Sequence, residues 1–545
     1  MCVSWARIQR VFQAKAGCVA MKLERLFAIV ICFSMLAVGM RDVPAQEGRK
    51  VLRVISGDVT ELDPTQGSNR VSRVYSQMVF DTLFALDGKL VAKPMMVEKY
   101  TVSSDGLTRD YTLRANLKFH DGSPVTARDV VASVKRWADN TAIGAQLKSR
   151  LASLTAVNDR DFRLVLKEPF GFVEFLLAGA GSPIPGIMRE KDAARPYNTP
   201  MPLPVVGSGP FKYVDTERVE GSRVVFARNA AYLSRSEPAD GLAGARIVKV
   251  DQVRWIIMPD ATTASNALAA GEADLWAEAD PDQIAFLKQR GLRLSPNGLP
   301  FVEFVRPNFQ LPPFNDVRAR QALALLVDQD EIMPAVAGDA DWKPCHSFSV
   351  CGTAFGTEAG SKPFLKPNVQ RARSLLAEAG YKGETIVLLS LPAGPNMAVA
   401  QVLAQRLKEA GVKVDLQVTD LPTLLQRVRA KGQPPGKGGY HLFPYNATGS
   451  IWFHPLTNAA LDMSCGGHNW PGFPCDEAGE RLRQRVLRAL TPAEQQEAFE
   501  ALQEHMWQFL PYVPVGQWDV VSAYRPNIAG LLSAYVQPYW NVEKR

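Results

Sequence analysis

The stretch Phe119–Asp129, FHDGSPVTARD, dictates more local structure than any other in the chain. Asp121-Gly122 is a turn dipeptide, because glycine reaches backbone angles that other residues avoid. Shortly after it, Thr126 is placed to cap a helix, and Asp129 at the third helical position completes a reciprocal capping box. Val130, Val134 and Trp137 then recur at helical spacing and predict a buried helix face. Strand end, tight turn and capped helix in succession indicate an α/β protein. They imply no activity.

Size is the next constraint. Of the 545 residues, the first 45 read as a leader and not as part of the fold. Lys22 and Arg25 supply positive charge, Leu26–Met40 is a continuous apolar run, and Val43-Pro44-Ala45 offers small residues for cleavage near Ala45, the pattern of a secretory signal peptide. At about 1.5 Å per residue the run is short for a permanent helix across a ~30 Å bilayer core. Residues 1–20 precede Met21 and read as an upstream extension. Cys32 lacks the preceding small residues of a lipoprotein attachment site. No other segment is apolar enough to span a membrane. The expected mature chain is exported and soluble, and at about 500 residues it exceeds one hydrophobic core, so at least two lobes are expected.

Removing the leader also changes charge and cysteine content. The chain carries 62 Lys/Arg and 55 Asp/Glu; residues 1–45 hold six and two of these, which leaves 56 against 53, a formal +3. A surface so nearly balanced gives no support for nucleic-acid binding. Seven cysteines fall to four: Cys345, Cys351, Cys465 and Cys475. Two close pairs in an exported chain predict the disulfides Cys345–Cys351 and Cys465–Cys475. A zinc site using His346 and His468 is the competing arrangement, but neither spacing fits a standard zinc module. Loops this short are stapled locally, with modest effect on global stability.

The rest of the chain mixes strands and helices in each half. Val51–Ser56 reads as a buried strand, followed by a polar loop, Asp58 to Asn69. Tyr75 to Leu86 reads as a helix, and Tyr111 to Phe119 as a strand. Phe162 to Leu166, Arg223–Arg228 and Ile247 to Met258 are β-rich, and Thr262 to Ala270 with Ala273 to Trp276 is a helix–strand unit. Asn315 is placed to cap a helix with Ala319, Ala322, Leu323 and Leu326 on one face. Asn368 to Gly380 is a helix capped at both ends, and Ala398 to Ala410 leads past Gly411 into strand Val412 to Val418. Thr491-Pro492-Ala493-Glu494 is a capping box with proline at the first helical position, and Phe499, Leu502, Met506 and Phe509 form that helix's apolar stripe.

Enzymatic chemistry has no foothold in this pattern. The six histidines include no H-E-x-x-H pair, and there is no G-x-S-x-G elbow. Gly432 to Gly438, GQPPGKG, has the wrong glycine spacing for a phosphate loop, no Ser/Thr after Lys437, and prolines where donating N–H groups are needed; it reads as a surface loop. Turn and capping roles account for Asp121 and Asp129.

Four spaced stretches carry a resemblance to a known family. FHDGSPVTARDV (119–130) resembles the signature of the extracytoplasmic solute-binding proteins of family 5, the peptide, nickel and opine receptors of ABC importers. Val206-Gly207-Ser208-Gly209-Pro210-Phe211 looks like the family's G-[ST]-G-P-[FY] turn. MPDATTASNALAAGEADL, Met258 to Leu275, resembles its D…..AL..GE.D segment. NFQLPPFNDVRARQALALLVDQD, Asn308 to Asp330, resembles its N…PF.D.R.RQA…A.D helix entry. The resemblance covers essentially everything after about residue 50.

It implies a bilobal α/β periplasmic-binding-protein fold, class II and cluster C, with an extra domain and two crossings between lobes. Domain I would comprise 46–85, 205–305 and 518–545, domain II, the extra domain of the first lobe, 86–204, and domain III 306–517. The implied function is a monomeric periplasmic receptor that closes its lobes on a small organic ligand, peptide-like or opine-like, and delivers it to ABC permease subunits. It implies no cofactor, no structural metal and no bond chemistry.

A cleft of this kind combines aromatic walls with converging polar groups. The segment from Tyr440 to Leu461, with Cys465 to Cys475, is the richest candidate, and the family's ligand contacts fall there. The candidate ligand residues are Tyr445, Asn446, Ser450, Trp452, His454, Asn458 and Trp470, with His468 and Asn469 nearby. Ser68, Asn69 and Tyr75 join them from the region of the polar loop, which the family places at the cleft. Core packing is the competing role for each aromatic taken singly. The family's peptide receptors carry an aspartate hereabouts, in a W-x-x-D-x-x-D-P pattern, that pairs with the peptide ammonium. Tyr440 to Leu461 contains no Asp or Glu. Burying an ammonium without an anionic partner costs several kcal/mol, so Asp58, Glu61 or Asp63 would have to serve, or the ligand is neutral or anionic at the end facing Trp452. Opines, sugar-phosphate conjugates and blocked peptides fit that description. Nickel or haem is the remaining family option, with His441, His454 and His468 as nitrogen donors.

Overall fold

The computed structural model describes residues 49–545 apart from 68, 182, 339–340 and 467–469. The leader with its cleavage site, Ser68, His468 and Asn469 lie outside the described residues.

The capped helix is present as Ala127–Asn140. The Asp129 carboxylate accepts from the Thr126 amide at 2.8 Å and from its hydroxyl at 2.7 Å, and also receives the Glu190 amide at 2.7 Å. Val130, Val134 and Trp137 are buried as the spacing requires. Just upstream, His120 is clasped by the VGSGPF turn. Its amide donates to the Gly207 carbonyl at 2.8 Å, and its Nδ1 accepts from the Gly207 amide at 3.2 Å. That assigns the ring proton to Nε2, which lies 3.0 Å from the Gly209 carbonyl. Burial holds the imidazole neutral, with its pKa pushed down to about 4. A Cβ on Gly207 would lie 2.0 Å from the Val79 carbonyl oxygen, and one on Gly209 would lie 2.5 Å from that of Met78. Only glycine lets the turn approach the end of helix Arg70–Val79 this closely.

Three sheets organise the chain. The first has seven strands in the order Arg293–Pro296, Val521–Tyr524, Leu275–Trp276, Val51–Ser56, Gln252–Ile257, Arg223–Arg228 and Phe211–Tyr213. Its centre is parallel, with Val54 opposite Trp255 on one side and Leu275 on the other. The second has six strands, Trp342–Lys343, Val513–Trp518, Phe301–Pro307, Leu442–Thr448, Thr385–Ser390 and Lys413–Val418. The third is an antiparallel four-stranded sheet, Val97–Val102, Thr108–Leu113, Asp161–Leu166 and Leu151–Ala156, beside which helix Ala127–Asn140 packs.

The two large sheets share two strand paths. Arg293–Pro296 pairs with Val521–Tyr524 in the first sheet, and after Asn297–Pro300 the chain continues as Phe301–Pro307 in the second. That strand pairs with Val513–Trp518, which returns through Asp519-Val520 to Val521. Two short adjacent segments are therefore the strand crossings between the lobes.

The RQA motif builds the second lobe. Arg320 donates to the carbonyls of Phe314, Asn315 and Phe509 while its guanidinium lies over the rings of Phe309 and Phe509. Asn308 Nδ2 donates to the Tyr440 carbonyl at 3.0 Å. Both cysteine pairs are bonded, Cys345–Cys351 and Cys465–Cys475. Among the described residues no helix is long and apolar enough to cross a membrane.

Some elements differ from the sequence reading. The helix expected from Tyr75 to Leu86 runs Arg70–Val79, and Phe84–Leu86 is a strand. The chain leaves the helix because Asp81 is drawn into a buried pair with Arg246 at 2.8 Å, joined by the Tyr232 hydroxyl at 3.1 Å. The helix after Pro313 is capped by Asp316 and not by Asn315; the Asp316 carboxylate accepts from the Arg318 amide at 2.8 Å. The strand expected from Tyr111 to Phe119 is Thr108–Leu113.

Candidate ligand-binding site

Helix Arg70–Val79 of the first lobe points its first turn at the crossings. Asn69 is its N-cap, accepting from the Ser72 amide at 2.8 Å. Arg70 pairs with Glu278 at 2.6 Å and donates through Nη2 to the Asn297 carbonyl at 2.6 Å. Three residues on, one turn along the same helix, Arg73 reaches the second lobe, where its Nη1 donates to the Ser450 hydroxyl at 2.5 Å. Ser450 stands in the short helix Gly449–Trp452. That turn rests on the crossing itself, with the Gly449 amide donating to the Pro300 carbonyl at 2.8 Å.

Beyond Ser450 the lobes meet through aromatic rings. His454 lies face to face with Phe175 at 4.0 Å and edge-on to Phe172 at 4.5 Å, and Phe355 of its own lobe meets it edge-on at 4.8 Å. Its Nδ1 accepts from the Leu456 amide at 3.1 Å, so Nε2 carries the proton, and that atom has no partner among the described residues. Burial alone drives its pKa down to about 3. Further along, Arg150 donates to the Gln484 side chain at 2.7 Å, Glu168 pairs with Arg488 at 3.0 Å, and the Gly171 amide donates to the Leu487 carbonyl at 3.2 Å.

The other expected ligand residues are placed as follows. Tyr445 and Trp470 line a cavity of about 440 Å³ in the second lobe, together with Phe443, Arg429 and Asp462. Trp452 is buried, stacked on Phe304 at 4.7 Å, with its indole N–H donating to the Tyr512 hydroxyl at 2.9 Å. Asn458 donates to that hydroxyl at 3.2 Å and to the Phe348 carbonyl at 3.1 Å. Asn446 stands opposite Glu303 in the strand pair. Tyr75 is buried against Phe80, Tyr213 and Phe226, with its hydroxyl donating to the Leu62 carbonyl at 3.1 Å. The structure thus gathers Ser450 and His454 at the seam between lobes, and sets Trp452, Asn458 and Tyr75 in hydrogen-bonded core positions.

A second cavity, about 330 Å³, opens at the carboxyl ends of strands Val51–Ser56 and Gln252–Ile257, lined by Ser56, Gly57, Val71, Trp276 and Glu278. Crevices at strand carboxyl ends are the usual ligand position in open α/β sheets.

Two of the three acids that could have replaced the missing aspartate, Asp58 and Asp63, are committed elsewhere, while Glu61 is exposed. Asp63 pairs with Arg136 at 2.7 Å and accepts from Thr65, and Asp58 accepts from the Gly221 amide at 2.8 Å beside Arg218. Counting back from His454-Pro455, the place of the first aspartate in W-x-x-D-x-x-D-P holds Ile451. His441 Nδ1 accepts from the Val387 amide at 2.9 Å, and burial lowers its pKa to about 4. Among the described residues no group of three or more His, Cys, Asp or Glu could hold a metal ion.

Sequence reasoning missed Arg73, Glu303 and the pair Phe172–Phe175. None of them carries a local signal, and only the meeting of distant segments gives each a role.

Two α/β lobes joined by paired crossing strands and touching along a seam define a bilobal periplasmic-binding-protein fold. The chain belongs to the bacterial extracellular solute-binding proteins, family 5, whose middle-region model matches residues 91–461. It is 35% identical over 513 residues to a Sinorhizobium fredii protein named "Probable peptide ABC transporter periplasmic-binding protein y4tO", with 93% of this chain and 95% of that one covered. It is 26% identical to the glutathione-binding protein GsiB of Escherichia coli O1:K1, over 88% of this chain and 91% of the relative. The crystal structure of the ABC transporter substrate-binding protein CtaP from Listeria monocytogenes superposes with a TM-score of 0.76 at 21% identity, covering 91% of this chain and 99% of that chain.

Proposed function

We propose that this protein is a periplasmic receptor that captures a small organic ligand, peptide-like or otherwise, between its lobes and hands it unchanged to the permease subunits of an ABC importer. The observation that carries the reading is the pair of crossings, Asn297–Pro300 and Asp519-Val520, next to an interlobe contact, Arg73 to Ser450, that closure makes and opening breaks. A ligand that touches both lobes favours the closed state by its differential affinity for the two states. The receptor acts as a monomer, performs no bond chemistry, and is exported by a leader cleaved near Ala45.

The distribution of strands supports the three-domain division. All strands of the four-stranded sheet fall within 86–204, and all strands of the seven-stranded sheet fall within 46–85, 205–305 and 518–545. The six-stranded sheet lies in 306–517 except where Phe301–Pro307 and Val513–Trp518 overlap the crossings.

A ligand other than a free-amine peptide, such as an opine, a sugar conjugate or a blocked peptide, is favoured by Ile451 in the place of an aspartate and by the commitment of Asp58 and Asp63 to internal partners. Small-angle scattering tests the mechanism. Adding a metabolite extract that raises the melting temperature should lower the radius of gyration; a stabilising extract that leaves scattering unchanged would remove lobe closure from the account.

A further inference from the structure

Arg73 is in the wrong place for a structural arginine. It is 3% exposed. Among the described residues no carboxylate pairs with it, its Nε has no partner, and its one hydrogen bond goes to a neutral hydroxyl on the opposite lobe. Glu278, the acid whose charge reaches it, is held by Arg70 at 2.6 Å. Burial accordingly lowers its pKa to about 10, and Arg70 adds to the fall. An uncompensated buried guanidinium costs several kcal/mol, so a folded protein keeps one where a partner arrives later.

We propose that Arg73 receives an oxyanion of the bound ligand, a carboxylate or a phosphate, at the seam between the lobes. The guanidinium fork suits bidentate contact with such a group. Ser450, already within reach of Arg73 and of the Thr448 hydroxyl at 2.6 Å, supplies a second donor from the other lobe. The anion therefore binds between lobe one and lobe two and draws them together. Tyr440 to Leu461, with Ile451 where the family's peptide receptors carry an aspartate, supplies no carboxylate that would compete for Arg73. This inference rests on the receptor reading and adds the charge of the ligand to it.

The test uses the purified mature protein and a bacterial metabolite extract split by anion exchange into retained and unretained pools. Thermal shift reads binding. The retained pool should stabilise the wild type, and Arg73→Gln should lose at least about 30-fold in apparent affinity, as truncation of a buried charge pair does. Methyl esterification of the retained pool abolishes the shift if the anion is a carboxylate; phosphatase treatment abolishes it if the anion is a phosphate monoester. Arg73→Met keeps the test open should the glutamine variant misfold. Without ligand it should melt no lower than wild type, because the unpaired charge is gone, whereas a structural arginine would leave it less stable. Equal stabilisation by the unretained pool, or an unweakened response of Arg73→Gln, overturns the proposal and leaves the receptor standing. No shift from either pool overturns both.

Discussion

Asn297 and Val520 are joined across the two crossings, the Asn297 amide donating to the Val520 carbonyl at 2.7 Å. The Asn297 side chain meanwhile donates to the Ala277 carbonyl of the first lobe, and its own carbonyl receives Arg70. Next to it, Gly298 has φ +84°, and a Cβ there would lie 2.8 Å from the Tyr535 carbonyl oxygen. The segment is thus pinned on its first-lobe side. That leaves the few residues before Phe301 as the expected place of bending when the lobes move.

Gly298→Val should accordingly disturb the hinge more than the lobes. Forcing a branched residue into a left-handed conformation costs about 1–2 kcal/mol, and the close carbonyl adds to it. The expected result is a lower melting temperature, together with an altered radius of gyration without ligand. A variant with wild-type scattering and stability would show that the bend lies elsewhere.

Gly207 and Gly122 separate close approach from backbone angle. Gly207→Ala places a methyl group 2.0 Å from the Val79 carbonyl and should destabilise by about 3 kcal/mol or more, or prevent folding. Gly122 has φ +87° but nothing within 4 Å of its absent Cβ, so Gly122→Ala should cost only about 1 kcal/mol. Urea unfolding of the two variants measures the difference. Equal losses would mean that the turn can move away from helix Arg70–Val79.

These glycines also show what the sequence could tell. The turn at Asp121-Gly122, the box at Thr126 and Asp129, and both disulfides depend on residues close in the chain, and short-range chemistry made them legible. The family motifs were legible as strings, but their reason was not: His120 and Gly207 are 87 residues apart and only the fold shows them touching. The helix misread from Tyr75 to Leu86 failed for the same cause, since Asp81 answers to Arg246 and not to its neighbours. At the candidate site, Ser450 and His454 were readable from an aromatic, polar segment. Arg73 was not, because a single arginine in an amphipathic helix is ordinary until its partners are known.

Glu303 should give a pH dependence of stability opposite to that of most acids. It is fully buried on strand Phe301–Pro307, where desolvation raises its pKa to about 8 against the hydrogen bond from Trp518. Unfolded, the carboxyl titrates near 4.3. Between roughly pH 4.3 and 8 the folded protein therefore holds a proton that the unfolded chain has lost, and this contribution to stability declines as pH rises through that window. Glu303→Gln, which keeps a polar group toward Trp518, should be more stable than wild type at pH 9, by roughly 3–5 kcal/mol at most, and should lose this advantage near pH 4. Urea midpoints across pH decide it. A constant difference between variant and wild type would mean the carboxyl does not titrate in that window.

His454 makes closure itself sensitive to acid. In the closed seam its pKa is pushed down to about 3 by Phe172, Phe175 and Phe355 packed around it. Separated lobes take Phe172 and Phe175 away from the ring and raise its pKa toward the free value near 6.5. From about pH 6.5 down to 3 the open form therefore binds a proton that the closed form refuses, and closure weakens up to about tenfold per pH unit. Above that window the contribution of the neutral ring is fully present. His454→Phe keeps an aromatic ring among aromatic rings, gives up the hydrogen bond from Leu456 at about 1 kcal/mol, and removes the titration. Small-angle scattering at pH 7.5 and pH 5 should show wild type expanding on acidification while His454→Phe changes less. The same expansion in both proteins would place the acid response outside this histidine.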